Sequence, residues 1–395
     1  MLQFPINMTS FVNNCKRNVV PYDGMRKRAM EQTTDKKKSM RLLVATLFAA
    51  CSLTAFTGQV GAEASPTGRS SKIRIGYFAN VTHAAALVGV QSKLFEKFFA
   101  VDKTKVEFVV FTAGPAVIEA MKGGAIDASY VGPNPALMGY STTGGTALRI
   151  VAGATLNGAQ LIVQKSVSSL GQLTGKTIST PQLANTQDVA ARSYLKEQGF
   201  PTNIWGDGKI GIVPTDNAAT LNLFKQGKIA GAWAPEPWAS RLVNEGNGKV
   251  LLDEKNLWPK QRFITTSLIV GTKFLNKFPQ TAETLVRAHV AITDMIQQPK
   301  NSAQVKKYVQ AGLLQAAGKT LEEKTLSRAL GNVIFSNDPL VLGLGHNIKT
   351  ASAVGLLRNP SDKFKNIYDL RTLNRVLAGA NRQTKKYDAL EFGVD

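Results

Sequence analysis

Cysteine and histidine are scarce in this chain. Of its 395 residues, two are Cys and three are His. Both cysteines, Cys15 and Cys51, precede the leader cleavage site described below, so cleavage there leaves no cysteine. That excludes disulfides, thiol nucleophiles and cysteine-ligated metal in the exported form. The histidines lie far apart and no carboxylate stands at ligand spacing from His83, so we predict no metal site and no cofactor.

Acidic residues are also in the minority. The chain has 48 Lys and Arg against 27 Asp and Glu, a formal net charge of +21. Such an excess attracts anions over long distances, although the basic residues are spread out and mostly indicate a solvated surface. Because no basic run is interleaved with stacking aromatics, we predict no nucleic-acid partner.

No apolar run singled out in the sequence is long enough to span a membrane. Leu42 to Phe56 is an apolar run of about 15 residues, short of the ~20 that a bilayer requires. Lys36 to Lys38 precede it, and Ala62 to Ala64 supply small residues for cleavage. This order predicts that residues 1–64 are an upstream extension and a secretory signal peptide, and that the protein is periplasmic.

Cys51 leaves a second reading of this leader open. Phe48-Ala-Ala-Cys51 resembles the lipobox of bacterial lipoproteins, in which the cysteine is cut and acylated. Phe replaces the usual Leu, and the apolar run continues past the cysteine. Cleavage after Ala64 is therefore favoured, and a lipid anchor through Cys51 is the alternative.

The most informative stretch is Phe111 to Leu137. Gly114-Pro115 ends a β-rich run and opens a helix, and Gly132 to Pro135 ends a second short run before another helix. The pattern predicts a β-α-β-α unit. Turns at the carboxyl ends of parallel strands line ligand crevices, so we expect Gly114, Pro115 and Asn134 at the site.

A second copy of this unit lies about a hundred residues further on. Val213 to Ala239 repeats the order of strand, helix, glycine and short strand, although an accidental match of turn signals is the alternative. We predict that Trp233 walls an apolar part of the ligand and that Trp238 is a core residue. Glu236 is predicted to accept a hydrogen bond from a ligand amine or from the opposite lobe.

Two further turns complete the predicted site. Asn80, Thr82 and His83 follow the first strand, Lys72 to Tyr77, and a capping or surface role for His83 is equally compatible. In the second turn a helix start offers free N–H groups that bind an anion without an arginine. Its residues are Gln182, Asn185, Thr186 and Gln187.

His289 lies in an apolar helical stripe and is predicted to be a core residue.

Several motifs carry a resemblance over roughly residues 72–380. They are the GP-x3-EA-x3-G-x-ID pattern at Gly114 to Asp127, the LTGKTISTPQ-x2-NTQ run from Leu173, Phe335 to Pro339, and Ile367 to Leu370. With them the chain resembles the substrate-binding proteins of bacterial ABC importers for nitrate, taurine and alkanesulfonates. The resemblance implies a monomer that delivers a small anionic ligand to the membrane permease subunits of an importer.

The predicted fold is α/β, two-lobed and periplasmic-binding-protein-like (type II), with two crossing strands that form a hinge. We expect crossings near Gln164 and Phe263. Lobe 1 would comprise residues 72–163 and 264–395, and lobe 2 residues 168–262.

The predicted ligand is a small organic anion, above all an aliphatic sulfonate such as taurine or an alkanesulfonate. Nitrate or bicarbonate and a thiamin-precursor pyrimidine are the alternatives, and nitrate is disfavoured because the site turns carry no Lys or Arg. A remote alternative is an enzyme, because thiamin-pyrimidine synthases resemble the same fold family. Those use a cysteine-rich motif, and no Ser-His-Asp set stands out here, so we predict no enzyme.

Overall fold

The computed structural model describes residues 68–357, 364 and 366–379. The predicted leader, with Cys51 and its cleavage site, lies outside these residues. Two β-sheets with helices packed against them form the described part, which confirms the α/β prediction. The strands are β1 (Lys72–Phe78), β2 (Lys105–Phe111), β3 (Ala128–Val131), β4 (Leu148–Asn157), β5 (Ala159–Val163), β6 (Thr177–Thr180), β7 (Gly211–Pro214), β8 (Gly231–Pro235), β9 (Lys249–Asp253), β10 (Ile264–Gly271) and β11 (Val333–Phe335).

Helices fill most of the connections between the strands. None of the described helices is both long and apolar enough to cross a membrane. They are α1 (Ala84–Gln91), α2 (Leu94–Ala100), α3 (Gly114–Lys122), α4 (Pro133–Thr142), α5 (Thr186–Glu197), α6 (Asn217–Lys225), α7 (Trp238–Asn244), α8 (Thr272–Lys277), α9 (Pro279–Gln297), α10 (Ser302–Ala317), α11 (Glu323–Gly331), α12 (Gly343–Ala353) and α13 (Arg371–Gly379).

The two sheets share a strand pattern. The first has the order β11-β4-β10-β3-β1-β2, with β1 parallel to β2 and β3, and β10 antiparallel to β3. The second has the order β7-β6-β8-β5-β9, with β6 parallel to β7 and β8, and β5 antiparallel to β8. Four neighbouring strands of one sheet therefore have counterparts in the other.

The predicted repeat of the β-α-β-α unit is present in both sheets. β2-α3-β3-α4 corresponds to β7-α6-β8-α7, and a left-handed glycine follows the first helix of each unit. Gly124 has φ of +70° and Gly227 has φ of +69°, a conformation in which a Cβ would be strained. The matching glycines show that the two stretches end their helices in the same way.

The chain crosses between the sheets earlier than the sequence suggested. We expected β5 in the first lobe, but it pairs with β8 and β9, so it belongs to the second sheet. The crossing is at Asn157 and Gly158, whose φ values of 64° and 79° turn the chain, rather than near Gln164. Both strands are apolar, and apolar pattern alone does not say which sheet a strand joins.

The return crossing follows β9 and agrees with the predicted position near Phe263. Two short 3-10 turns, Glu254–Leu257 and Pro259–Gln261, lead from β9 into β10 of the first sheet. Below, lobe 1 means the described residues of 68–157 and 264–379, and lobe 2 means residues 158–263. We propose that these two connections form the hinge between the lobes.

His289 is a core residue, as predicted. It is fully buried in α9, where Nε2 donates to the carbonyl of Gly153 at 2.7 Å and Nδ1 accepts from the hydroxyl of Tyr130 at 3.0 Å. Burial lowers the pKa of His289 to about 4. The imidazole is therefore neutral at physiological pH and links the helix to two strands of the first sheet.

Candidate functional site

Turns at the carboxyl ends of six strands meet between the lobes. Those after β1, β2 and β3 belong to lobe 1, and those after β6, β7 and β8 belong to lobe 2. With β10 they enclose a cavity of about 20 Å³, here called the inner cavity. It has room for about one water-sized group, so a ligand head group there touches both lobes. The lining residues are Phe78, Asn80, Thr82, His83, Thr112, Gly132, Asn185, Thr186, Gln187, Asn217, Pro235, Thr265 and Thr266.

Half of the residues predicted for the site line this cavity. The turn after β1 contributes three of them and the start of α5 contributes three more, from opposite lobes. Parallel pairing places each turn at the carboxyl rim of its own sheet, and the packing of the two lobes brings the two rims together. These six residues are Asn80, Thr82, His83, Asn185, Thr186 and Gln187.

The start of α5 presents backbone donors to the inner cavity. Asn185 is the N-cap by conformation, but its side chain makes no capping hydrogen bond. Thr186 and Gln187 are the first helical residues, where N–H groups have no partner within the helix. The positive end of the helix dipole adds to their attraction for an anion.

A buried ion pair holds this helix start in place. Asp188 accepts hydrogen bonds from the hydroxyl of Thr180 at 2.7 Å, from the N–H of Ala184 at 2.9 Å and from Arg192 Nε at 2.9 Å. Asp188 and Arg192 are almost fully buried. Sequence reasoning missed this ion pair, although the i, i+4 spacing of Asp188 and Arg192 in the predicted helix was visible.

His83 adds a neutral donor from the opposite lobe. Its ring stacks on Phe78 at a centroid distance of 4.2 Å, and the N–H of Phe78 donates to Nδ1 at 3.3 Å. Burial lowers the pKa of His83 to about 3, so the ring is neutral. Since Nδ1 accepts, the proton of the neutral ring is on Nε2. The imidazole can therefore donate a hydrogen bond and carries no charge.

Three buried polar atoms at or beside the cavity have no hydrogen-bond partner among the described residues. Thr186 Oγ1 and Thr266 Oγ1 accept and donate no hydrogen bond within the described residues, and neither does Asn134 Nδ2. All three residues are at least 96% buried. A buried donor without a partner costs about 1–3 kcal/mol, and a ligand with acceptor oxygens would remove that cost.

Asn134 faces a neighbouring space rather than the inner cavity itself. This second space of about 90 Å³, the side cavity, lies between α5 and α12. Thr186 lines both cavities, so the two are adjacent. Its lining residues are Asn134, Thr186, Val189, Ala190, Ser193, Tyr194, Glu197, Glu254, Leu257, Trp258, His346, Asn347 and Thr350.

No charged side chain of the described chain lines the inner cavity. This agrees with the absence of Lys and Arg from the predicted turns. Sequence reasoning placed the turn that begins at Gly132 at the site but did not select Thr265 or Thr266, which also line the cavity. Two adjacent threonines inside the fully buried strand β10 were the available signal, because buried strands of this kind are usually apolar throughout.

Three predicted residues lie beside the inner cavity without lining it. Gly114 begins α3, where an added Cβ would come within 2.2 Å of Pro135 Cγ, so its role is close packing between the two turns. Pro115 follows it in the first turn of α3. Gln182 accepts the N–H of Asn185 through its backbone carbonyl at 3.0 Å and shapes the loop before α5.

The two tryptophans occupy the opposite positions to those expected. Trp233 is fully buried in the core of lobe 2, where Nε1 donates to Glu254 Oε2 at 2.7 Å. Trp238 faces the cleft, and its Nε1 donates across the lobes to Asn80 Oδ1 at 2.9 Å. Trp233 lies inside β8, every residue of which is buried, whereas Trp238 begins α7 beyond the end of that strand.

Glu236 joins the lobes and is not available to a ligand. Its carboxylate is fully buried, and Oε2 accepts the N–H of Ser240 at 3.0 Å. From lobe 1, Arg328 donates to Oε1 at 3.1 Å and Asn332 donates to the same atom at 2.6 Å. The structure thus agrees with the opposite-lobe partner considered for Glu236 and leaves no oxygen for a ligand amine.

A larger space continues outward from the inner cavity. This outer cavity has a volume of about 370 Å³ and shares Phe78, Asn80, Thr112 and Asn217 with the inner one. Its wall is mainly apolar, with Trp238 on the lobe 2 side. Among the described residues no cluster of three His, Cys, Asp or Glu side chains could hold a metal.

Comparison with known proteins gives the family. Residues 67–310 match the model of the NMT1-like family. The taurine-binding periplasmic protein of Escherichia coli is 24% identical over 204 residues, 50% of this chain and 61% of that protein. The chain therefore spans somewhat less than two thirds of this relative.

Solved structures of similar shape include two anion receptors. The alkanesulfonate-binding protein of Xanthomonas axonopodis pv. citri, bound to MOPS, has 20% identity and a TM-score of 0.62 over 74% of this chain and 96% of that one. The periplasmic nitrate-binding protein of Synechocystis has 14% identity and a TM-score of 0.64 over 78% and 89%. A Candida albicans protein described as having the generic periplasmic binding protein fold has 10% identity and a TM-score of 0.54 over 79% and 96%. With this two-lobed periplasmic binding protein fold and a family match over more than half of its length, the chain belongs to the NMT1-like family.

Proposed function

We propose that this protein is the solute receptor of an ABC importer and binds a small organic anion, an aliphatic sulfonate, between its lobes. The observation that carries the proposal is the set of neutral donors at the inner cavity. Thr186 Oγ1 and Thr266 Oγ1 are buried without partners, and the start of α5 faces the neutral imidazole of His83. A sulfonate offers three acceptor oxygens to such donors.

The relatives support a binding protein rather than an enzyme. The taurine-binding and alkanesulfonate-binding proteins are named for sulfonates, and the nitrate-binding protein for another anion. In our proposal a membrane permease receives the anion from a monomeric receptor. Residues 65–395 carry 39 Lys and Arg against 23 Asp and Glu, and this net charge of +16 would raise the rate at which an anion arrives.

The Thr186→Ala variant tests the donor set. At about 100 times its dissociation constant, a sulfonate such as taurine should raise the wild-type free energy of unfolding by about 2.7 kcal/mol. A hydrogen bond to a charged group contributes about 1.5–3 kcal/mol, so the variant should bind roughly tenfold or more weakly. Its stability without ligand should stay near that of the wild type, since Thr186 Oγ1 makes no capping bond.

Thr202→Ala is the matched control. Its hydroxyl is also buried without a partner and lies in lobe 2, but outside the inner and side cavities. The Thr202→Ala variant should bind the sulfonate as tightly as the wild type does. If Thr186→Ala lowers stability but retains full affinity, Thr186 caps the helix and the anion is held elsewhere.

Thermal shifts with taurine, alkanesulfonates, nitrate, bicarbonate and a thiamin-precursor pyrimidine separate the proposed ligand from its alternatives. The mainly apolar outer cavity that adjoins the inner one offers space for an apolar substituent, which favours an organic anion over an inorganic one. Stabilisation by nitrate or bicarbonate alone would show that the ligand is an inorganic ion and not a sulfonate. Stabilisation by the pyrimidine alone would show that the ligand is a pyrimidine and not an anion.

We also propose that the protein is exported to the periplasm. The basic and apolar pattern of residues 36–64 supports this, and the relative from Escherichia coli is described as periplasmic. Intact-mass analysis of protein from a secreting host should give a mature chain that begins near Ser65. An acylated Cys51 would show the lipid-anchored alternative to be correct, and an uncleaved chain would contradict export.

A further inference from the structure

A buried carboxylate and several aromatic rings line the side cavity. The rings are those of Tyr194, Trp258 and His346, and the acids are Glu197 and Glu254. No Lys or Arg is found among the described residues that line it. This composition differs sharply from the inner cavity, which has no charged group, although the two cavities meet at Thr186.

One oxygen of Glu254 accepts no hydrogen bond of good geometry from the described residues. The residue is 1% exposed, and Oε2 accepts the indole N–H of Trp233 at 2.7 Å. The indole of Trp258 also favours the charged carboxylate, yet no hydrogen bond of good geometry reaches Oε1 from the described residues. Burial raises the pKa of Glu254 to about 7, and a cation beside it would favour the charged form.

The aromatic rings suit the same kind of partner. Trp258 and His346 lie with ring centroids 4.2 Å apart, and Tyr194 of α5 also lines the cavity. Aromatic faces attract cations, and the attraction is larger where water is excluded. A carboxylate oxygen together with these rings forms an environment for a small ammonium group.

Thr186 connects this environment to the anion site. Its free hydroxyl lines both cavities, and the free amide nitrogen of Asn134 lies in the side cavity. An anionic head group at Thr186 would therefore have its substituent close to Glu254. The volume of about 90 Å³ restricts that substituent to a few heavy atoms.

We propose that the side cavity binds the ammonium group of a zwitterionic ligand and that Glu254 Oε1 accepts its hydrogen bond. The inference rests on the proposed function and narrows it to small aminosulfonates. Glu254 is then a specificity-determining residue that separates these ligands from alkanesulfonates without an amine.

Calorimetry with taurine and 1-propanesulfonate tests this on the wild type. The second ligand replaces the ammonium group of the first by a methyl group of similar size. A hydrogen-bonded ion pair predicts that taurine binds roughly tenfold or more tightly. In Glu254→Gln, which retains an oxygen for Trp233, the ratio of the two affinities should fall close to one.

Two further variants locate the effect. Glu245→Gln, whose side chain pairs with Arg241 at 2.7 Å and does not line the side cavity, should leave the ratio unchanged. If the ratio of the taurine and 1-propanesulfonate affinities falls close to one in Glu197→Gln but not in Glu254→Gln, the assignment of Glu254 is wrong.

The outcomes separate this inference from the proposed function. If 1-propanesulfonate binds the wild type as tightly as taurine, the ammonium site is wrong while the sulfonate receptor stands. If neither ligand binds, the sulfonate receptor and the ammonium site are both wrong.

Discussion

Replacing Arg328 by methionine should lower the free energy of unfolding by about 3 kcal/mol at neutral pH. Arg328 donates to Glu236 Oε1 at 3.1 Å, to Ser240 Oγ at 2.8 Å and to Gln160 Oε1 at 2.7 Å. Its removal leaves the fully buried Glu236 carboxylate without a countercharge. The loss stays near the lower end for buried pairs because Asn332 still donates to that carboxylate. Chemical denaturation measures it.

The effect of Arg328→Met should depend on pH. Burial already raises the pKa of Glu236 above its ordinary value of 4.5, and loss of the guanidinium raises it further. Because the pKa of Glu236 is higher in the folded protein than in the unfolded chain, this group contributes stability at pH values below its unfolded-state pKa. That contribution is lost as the pH rises through the folded-state pKa. The difference between variant and wild type should therefore be small at pH 4 and grow towards pH 7.

Arg287→Met is the control for this prediction. Arg287 pairs with Glu283 at 2.6 Å, but its side chain is 54% exposed. Exposed ion pairs contribute about 0–1 kcal/mol, so this variant should remain close to the wild type at every pH. Equal losses in both variants, or a loss in Arg328→Met that does not change with pH, would contradict the buried link between the lobes.

Gly132→Ala should weaken sulfonate binding by roughly ten- to a hundredfold, the contribution of one hydrogen bond to a charged group. A Cβ at Gly132 in lobe 1 would lie 2.3 Å from Thr186 Oγ1 and 3.3 Å from Thr186 Cβ in lobe 2. Either the lobes remain apart or the hydroxyl turns away, and both displace a donor from the inner cavity. The φ of −68° suits alanine, so stability without ligand should hardly change.

A double-mutant cycle with Thr186→Ala shows whether the clash is the cause. Since the new methyl group meets the Thr186 hydroxyl, the two substitutions should not add, and the double variant should bind no more weakly than Gly132→Ala alone. Gly123→Ala is the control, because a Cβ there meets no atom closer than 3.4 Å. Additive losses measured by calorimetry would place Gly132 and Thr186 in independent roles.

Local sequence signals determined the units of this fold. Gly114-Pro115, Gly124 and Gly227 act through backbone conformation, which depends mainly on the residue itself and its neighbours. The two β-α-β-α units and the helix start at Thr186 were therefore predictable. So was the placement of the turns after β1 and β6 at the carboxyl rims of their own sheets, whereas the meeting of the two rims depends on how the lobes pack.

Tertiary structure decided which sheet and which face each apolar segment joins. β5 and β4 have similar composition, yet β5 crosses into lobe 2, and Trp233 rather than Trp238 enters the core. Such choices depend on which partners complete each sheet, and those partners are distant in sequence. Likewise, only the folded chain brings Arg328 to Glu236, because 92 residues separate the two.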